Sequence, residues 1–223
     1  MNINNGQIGL EPDATTSTEG IVALATSAET ATGTDTSKAV TPAGLAAVYQ
    51  YNTILVPATA MTATTTNGAA YGDTELATND LMKCYYAFDG ATEEFVTFDV
   101  VMPENWDRGT VKAKFYWSSA TSSTATDTVE WELGGVAVSD NDALDAAISG
   151  AQVISDALLA DNGTDLQVSG ATPAITIAGT PALGDLITFK ISRNVSGTDT
   201  MTEDAWLFAC LIQFKVANSV TAW

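Results

Sequence analysis

Beyond residue 70 apolar and polar residues alternate, and a period of two marks strands with one buried face. In "TVKAKFYW", Val111, Ala113, Phe115 and Trp117 share one face while Lys112, Lys114 and Tyr116 share the other. "TVEWELG" places Val129, Trp131 and Leu133 inward with Glu130 and Glu132 outward, and "LITFKIS" places Ile187, Phe189 and Ile191 inward. "FVTFDVVM" does the same with Val96, Phe98, Val100 and Met102. "AWLFACLIQFKV" is apolar on both faces, the pattern of a central strand covered on each side. Polar clusters such as "SSATSSTATD" and "NVSGTDT" separate these runs. A single stretch, "NDALDAAISGA", reads as helix. Many short strands and one helix predict a mainly β protein, an antiparallel β-sandwich of jelly-roll type over residues 70–223.

The pattern ahead of residue 52 is different. Phe and Trp are absent there, and Thr, Ala, Ser and Gly dominate. At its end "AVTPAGLAAVYQY" carries the signals of a short helix: Thr41 as cap, Pro42 at the first helical position, and Val40 placed to staple onto Leu45. Leu45, Val48 and Tyr49 then form a stripe. A helix of about ten residues is marginal in water, and the lean segment before it offers little to pack on. The stripe is best completed by the same stripe on another copy. Residues 52–69, rich in Thr and Ala with Pro57 and Gly68, read as a linker or an extended lead-in.

Charge narrows the partners. The 223 residues carry 27 acids and 8 Lys and Arg, a formal net charge of -19. Such a surface repels phosphate and disfavours nucleic acid and anionic membranes. The absence of histidine removes the commonest general base and zinc ligand, so the expectation is a protein that is not an enzyme and needs no cofactor. Cys84 and Cys210 read as two buried thiols. The opening residues lack the basic and apolar regions of a secretory signal, and no apolar run is long enough to span a bilayer. The expectation is a product made in the cytoplasm and not inserted in a membrane.

The stretch "STEGIVALATSAETATGTDTSKAVTPAGLAA", Ser17 to Ala47, closely resembles the repeat of tail-fibre proteins of tailed bacteriophages. The shared pattern is Gly20 to Thr26, Glu29, Asp35, Thr36, Lys38 to Pro42, and Leu45. "VMPENWDRGTVKAKFYW", "VEWELGGVAVSDNDALDAA" and "AITIAGTPALGDLITFKISRNVSGTDTMTEDAWL" are similar to a β domain common in phage structural proteins. The resemblance implies a homotrimeric virion protein made in the host cytoplasm. Residues 1–16 would attach to the particle, at tail and baseplate or at the capsid. Residues 17–51 would form an extended interchain stalk through Ile21, Val22, Leu24, Val40, Leu45, Val48 and Tyr49. Residues 70–223 would meet a bacterial surface glycan or protein. A tail fibre for host attachment is the first expectation; a capsid-attached head fibre and a glycan-cleaving fibre are the alternatives.

Two constellations merit weighing. Asp140, Asp142 and Asp145 in "SDNDALD" could ligate Ca²⁺, but the glycine and distal glutamate of an EF-hand loop are absent, and helix capping accounts for the same acids. Trp106, Asp107 and Arg108 in the polar loop "PENWDRG" form the candidate receptor contact, with Trp106 able either to stack on a sugar or to cap the core edge.

Overall fold

The computed structural model describes residues 22–48, 50–159 and 165–217. The chain divides into two units, one ending at Gln50 and one beginning at Tyr51.

The first unit contains helices α1 (Ser27–Thr32) and α2 (Pro42–Val48), with a parallel bridge pairing Leu24 and Ala39. Helix α1 lies in a stretch where no helix is expected from hydrophobic period, because it is built by polar side chains. Thr26 caps it through the Glu29 amide, Glu29 reaches back to the Thr26 amide at 2.9 Å, and Gly33 closes it in the left-handed conformation. The Lys38 ammonium donates to the Glu29 carboxylate, and Asp35 accepts from the Ser37 amide at 2.8 Å. Thr41 caps α2 as expected, its hydroxyl accepting from the Gly44 amide at 3.0 Å. Polar side chains therefore specify the turns and helix starts of the described part of this unit, which holds two short helices where one was expected.

Among its described residues, the unit leaves several large apolar side chains in water. Val22 is 41%, Leu24 64%, Val40 49% and Leu45 51% exposed. Val48 is half-buried, and the expected staple leaves both its members half in water. Ile21 and Tyr49 lie outside the described residues.

The Lys38 ammonium, then the Thr26 amide and hydroxyl, pull the Glu29 carboxyl from 4.5 to about 2. A lowered folded-state value stabilises the unit fully above pH 4.5, and that contribution is lost as the pH falls through about 2. Amide protection at Thr30 and Gly33, whose N–H groups bond to Thr26 and Glu29 carbonyls, should fall over that window. In Glu29→Gln the step should be absent.

Among the described residues the second unit is an antiparallel sandwich of eleven strands. They are β1 (Tyr51–Pro57), β2 (Thr62–Ala63), β3 (Ala70–Leu76), β4 (Leu81–Phe88), β5 (Phe95–Val101), β6 (Trp106–Ser119), β7 (Thr128–Val138), β8 (Ser149–Ala157), β9 (Gln167–Val168), β10 (Leu186–Arg193) and β11 (Ala205–Val216). One sheet runs β3-β4-β11-β6-β9 with β1 also on β11, and the other runs β2-β5-β10-β7-β8. From β4 to β7, and again from β8 to β11, each connection crosses between the sheets.

The inward faces read from the alternation are the faces that meet. Val111, Phe115, Trp117, Val129, Trp131, Leu133, Phe189 and Ile191 are fully buried in one core. Trp131 stands across the sheets from Phe88 and Phe115, with ring centroids 5.1 and 5.5 Å away. Outside β6 the segment from Ser169 to Ile175 supplies a further edge, its Ser169 and Thr172 hydroxyls accepting from the Phe115 and Ala113 amides.

Four expectations need correction. Residues 52–69 are not a linker: Tyr51 to Pro57 pairs along β11 from Lys215 to Ala209, and Thr62 to Ala63 pairs with β5. "NDALDAAISGA" is not a helix. Asp142 accepts from the Ser139 amide in a tight turn, Asn141 takes a positive φ of 67°, and Leu144 is left 83% exposed with nothing to pack on. Glu130 does not face water, because the loop after β10 covers it and the Thr198 hydroxyl bonds to its carboxylate at 2.5 Å. Cys210 is buried, which pushes its thiol up, but Cys84 is only half-buried.

Candidate functional site

Trp106 cannot stack on a ligand ring. It opens β6 opposite Val216 and is 3% exposed, with its Nε1 buried and lacking a hydrogen-bond partner. Of the two readings of this tryptophan, the core-edge cap is the one the structure shows. Asp107 and Arg108 follow it in an irregular start to β6, Asp107 accepting from the Gly109 amide at 2.8 Å and Arg108 at a φ of 61°. The three acids Asp140, Asp142 and Asp145 are not gathered: among the described residues no cluster of three or more His, Cys, Asp or Glu could hold a metal ion.

The prominent hollow lies on the outer face of the six-stranded sheet. It has a volume of about 570 Å³ and is walled by Leu55, Leu76, Tyr116, Trp206, Phe208 and Leu211. Strand topology creates it. One edge of β11 pairs with β6 throughout, whereas the other is shared by two strands: β4 pairs from Ala205 to Leu207 and β1 from Ala209 to Lys215. The β3–β4 hairpin thus parts from the sheet at the point where β1 takes over, and the hollow opens between them. A bulge between Leu207 and Ala209 coincides with this exchange. It shifts the alternation by one, so that Leu207 and Cys210 both face the core while Phe208 and Ala209 both line the hollow.

This explains why β11 is apolar on both faces. One face is core, and the other is the half-exposed floor of the hollow. Period-two reasoning takes such a strand to be covered on both sides; the hollow-facing half of its apolar pattern could equally have signalled a binding surface.

Tyr85 fixes one wall. Its ring stacks on Trp206 with centroids 4.0 Å apart and an interplanar angle of 15°. It can lie there because residue 72 on the neighbouring strand is glycine: a Cβ at that position would sit 2.8 Å from the Tyr85 ring. Gly72→Ala is expected to push Tyr85 off Trp206, changing the near-UV dichroism of the aromatic pair while costing about 1 kcal/mol of stability in urea unfolding. An unchanged aromatic signal would mean that the ring is held by Trp206 alone.

The electrostatics of this face differ from those of the chain as a whole. Outward positions on β6 and β11 carry Lys112 opposite Gln213 and Lys114 opposite Leu211, and Lys215 lies opposite Tyr51 of β1. Lys83 lines the hollow from β4 beside Thr74. Strands β1, β6 and β11 together contain one acid, Asp107, although the chain has 27.

No family model and no curated protein matches the chain. Several solved structures resemble it. A cycloisomaltooligosaccharide glucanotransferase of Paenibacillus sp. complexed with cycloisomaltoheptaose has 14% identity and a TM-score of 0.39, covering 70% of this chain and 18% of that one. The family 11 carbohydrate-binding module of Clostridium thermocellum, with a mixed-linked tetrasaccharide, has 8% identity and a TM-score of 0.36, covering 72% and 87%. The xylanase 10B modules of Clostridium thermocellum, with xylohexaose, have 15% identity and a TM-score of 0.41, covering 78% and 30%. The chain thus spans less than a third of the length of the first and third.

Proposed function

We propose that this chain is a structural fibre or spike protein of a tailed-bacteriophage virion. In this reading it is a homotrimer attached to the tail through residues 1–16, with the first unit forming the interchain contact and a jelly-roll-type sandwich meeting the host surface. The observation that carries the reading is the composition of the first unit. Its turns and helix ends are fully specified by Thr26, Glu29, Lys38 and Thr41, while its apolar residues Val22, Leu24, Val40 and Leu45 stay in water. A unit whose described residues are so specified and so leave their apolar side chains in water is completed by other copies of itself, and the small residues between permit close approach of the chains. Three copies also multiply weak surface contacts into useful avidity. The sandwich acts in this scheme by binding, without breaking bonds.

Light scattering on the purified protein tests the assembly: three times the single-chain mass of 23.2 kDa is expected, and the single mass would refute it. Replacing Leu24 and Leu45 with Gln should release monomers while the sandwich keeps its own unfolding transition. Antibody-gold labelling of intact particles is expected to mark the tail; label on the capsid alone would make the protein a head fibre.

A further inference from the structure

We infer that the hollow and the lysines beside it form a binding site for an anionic amphiphile, with an acyl chain in the hollow and a phosphate or carboxylate headgroup on Lys112, Lys114 and Lys215. The inference rests on the host-surface reading only for where such a ligand would be met.

Two observations converge on one face. The first is the lining. Leu55, Leu76, Leu211 and Phe208 present hydrocarbon to an open space of about 570 Å³, and polar groups are few, chiefly Thr74, Lys83, the Tyr116 hydroxyl and Ser118. A saccharide entering such a space would lose water from many hydroxyls and find partners for few, at a cost of roughly 1–3 kcal/mol for each one left unpaired. An acyl chain loses nothing polar and gains about 0.8 kcal/mol per buried methylene.

The second observation is charge. In a chain of net charge -19, β1, β6 and β11 carry four of the eight cations, Arg108, Lys112, Lys114 and Lys215, against the single acid Asp107. Of the remaining cations, Lys38 and Arg193 are paired with acids and Lys190 lies over the Phe95 ring. The one acid on their own three strands, Asp107, accepts from the Gly109 amide at 2.8 Å. Lys114 stands directly across from Leu211 on the floor of the hollow; Lys112 follows one step along the sheet and Lys215 one further, across from Gln213 and Tyr51. Steps of about 7 Å along a strand and 5 Å between strands put the backbones of Lys114, Lys112 and Lys215 about 5, 9 and 14 Å from Leu211, so that their long side chains can converge on a headgroup at the mouth of the hollow. The aliphatic stems of the lysines extend the apolar surface while their ends stay in water. Net charge alone argues against an anionic partner; the segregation of charge reverses that for this face.

The test uses the full-length protein and monododecyl phosphate below its micelle concentration, with Trp206 fluorescence and calorimetry as readouts. One equivalent per chain is expected to bind, at least 100-fold more tightly than inorganic phosphate, which separates an amphiphile from a free anion. Dodecylphosphocholine, with the same chain and no net charge, is expected to bind about tenfold more weakly. The triple variant K112Q/K114Q/K215Q, altered at exposed positions only, should bind the two amphiphiles equally. Leu211→Asn should weaken both, and added salt should weaken only the phosphate. The inference is overturned by absence of binding, by an unaltered headgroup preference in the triple variant, by inorganic phosphate competing at equal strength, or by an uncharged oligosaccharide displacing the probe. It is also overturned if Trp206 is shielded from acrylamide in the free protein, which would make the face a contact between copies. Adhesion of labelled protein to host cells is scored separately: binding of the probe without adhesion defeats only the host-surface reading, and adhesion without probe binding defeats only the ligand class.

Discussion

Replacing Arg193 with Met is expected to remove about 3–5 kcal/mol from the stability of the sandwich, the range for a buried charge deprived of its partner. At roughly 2–4 °C per kcal/mol for a domain of this size, the midpoint of thermal unfolding should drop by about 6–20 °C. Arg193 is fully buried at the end of β10, and its guanidinium is saturated. Nε and Nη2 donate to the two Asp199 oxygens at 2.9 and 2.8 Å, Nη1 donates to the Phe88 and Glu203 carbonyls at 3.2 and 2.7 Å, and Nη2 also donates to the Met201 carbonyl. One side chain thereby ties β10 to the end of β4 and to the loop leading into β11, which carries the floor of the hollow. Asp199 is shared further, accepting from the Glu130 amide at 3.0 Å. In the Met variant Asp199 stays buried without its cation, and three carbonyls lose their donors. Arg193→Lys should recover little, because a single ammonium cannot reproduce the planar fork. Adding Asp199→Leu to the Met variant should restore part of the loss, and a double mutant no more stable than the single would show that the carbonyl contacts, not the unpaired acid, dominate.

Nothing around Arg193 in the sequence marks it as buried. "KISRNVSG" reads as a strand ending in a solvated turn, and five residues separate Arg193 from the acid it meets. The strand faces fared differently. Val111 to Trp117, Val129 to Leu133 and Ile187 to Ile191 could be assigned to the core because alternation depends only on neighbours along one strand. The first seven residues of the sandwich could not. Tyr51 to Pro57 has the Ile-Leu-Val centre of a strand, but its Thr-rich surroundings disguise it, and its partner β11 lies more than 150 residues later. Helix α1 escaped for the converse reason: it has no buried side chain, so hydrophobic period gives no signal, and its marks are the Thr26 to Glu29 capping box and Gly33 at its end. The hollow was half legible. The second apolar face of β11 is plain in the sequence, but that it remains open depends on β4 yielding to β1 along one edge, a property of topology alone.

At the centre of the core, Trp131→Ala should cost about 3–5 kcal/mol, the usual loss for a large aromatic, and Trp131→Phe much less. From β7 the indole touches three rings of the opposite sheet: Phe88 edge-on at 5.1 Å, Phe115 stacked at 5.5 Å and Trp117 at 6.3 Å. Removing it to Cβ opens a void between two sheets, each kept in shape by its own hydrogen bonds, so the space closes only in part. The Phe substitution is a different experiment. It forfeits part of the contact area, but it also removes Nε1, which is buried without a hydrogen-bond partner. A buried donor in that condition costs about 1–3 kcal/mol, comparable to the packing that the smaller ring gives up. The two terms oppose each other, and the Phe variant is expected within about 1.5 kcal/mol of the parent in urea unfolding. Neighbouring Trp117 supplies the control, because its Nε1 donates to Asp156 at 2.8 Å. Trp117→Phe strands a half-buried carboxylate whose pKa burial already raises, so it gains nothing from losing the donor and should be clearly the worse of the two Phe variants. Equal losses at the two positions would mean that indole shape, rather than the pairing of its N–H, sets the cost.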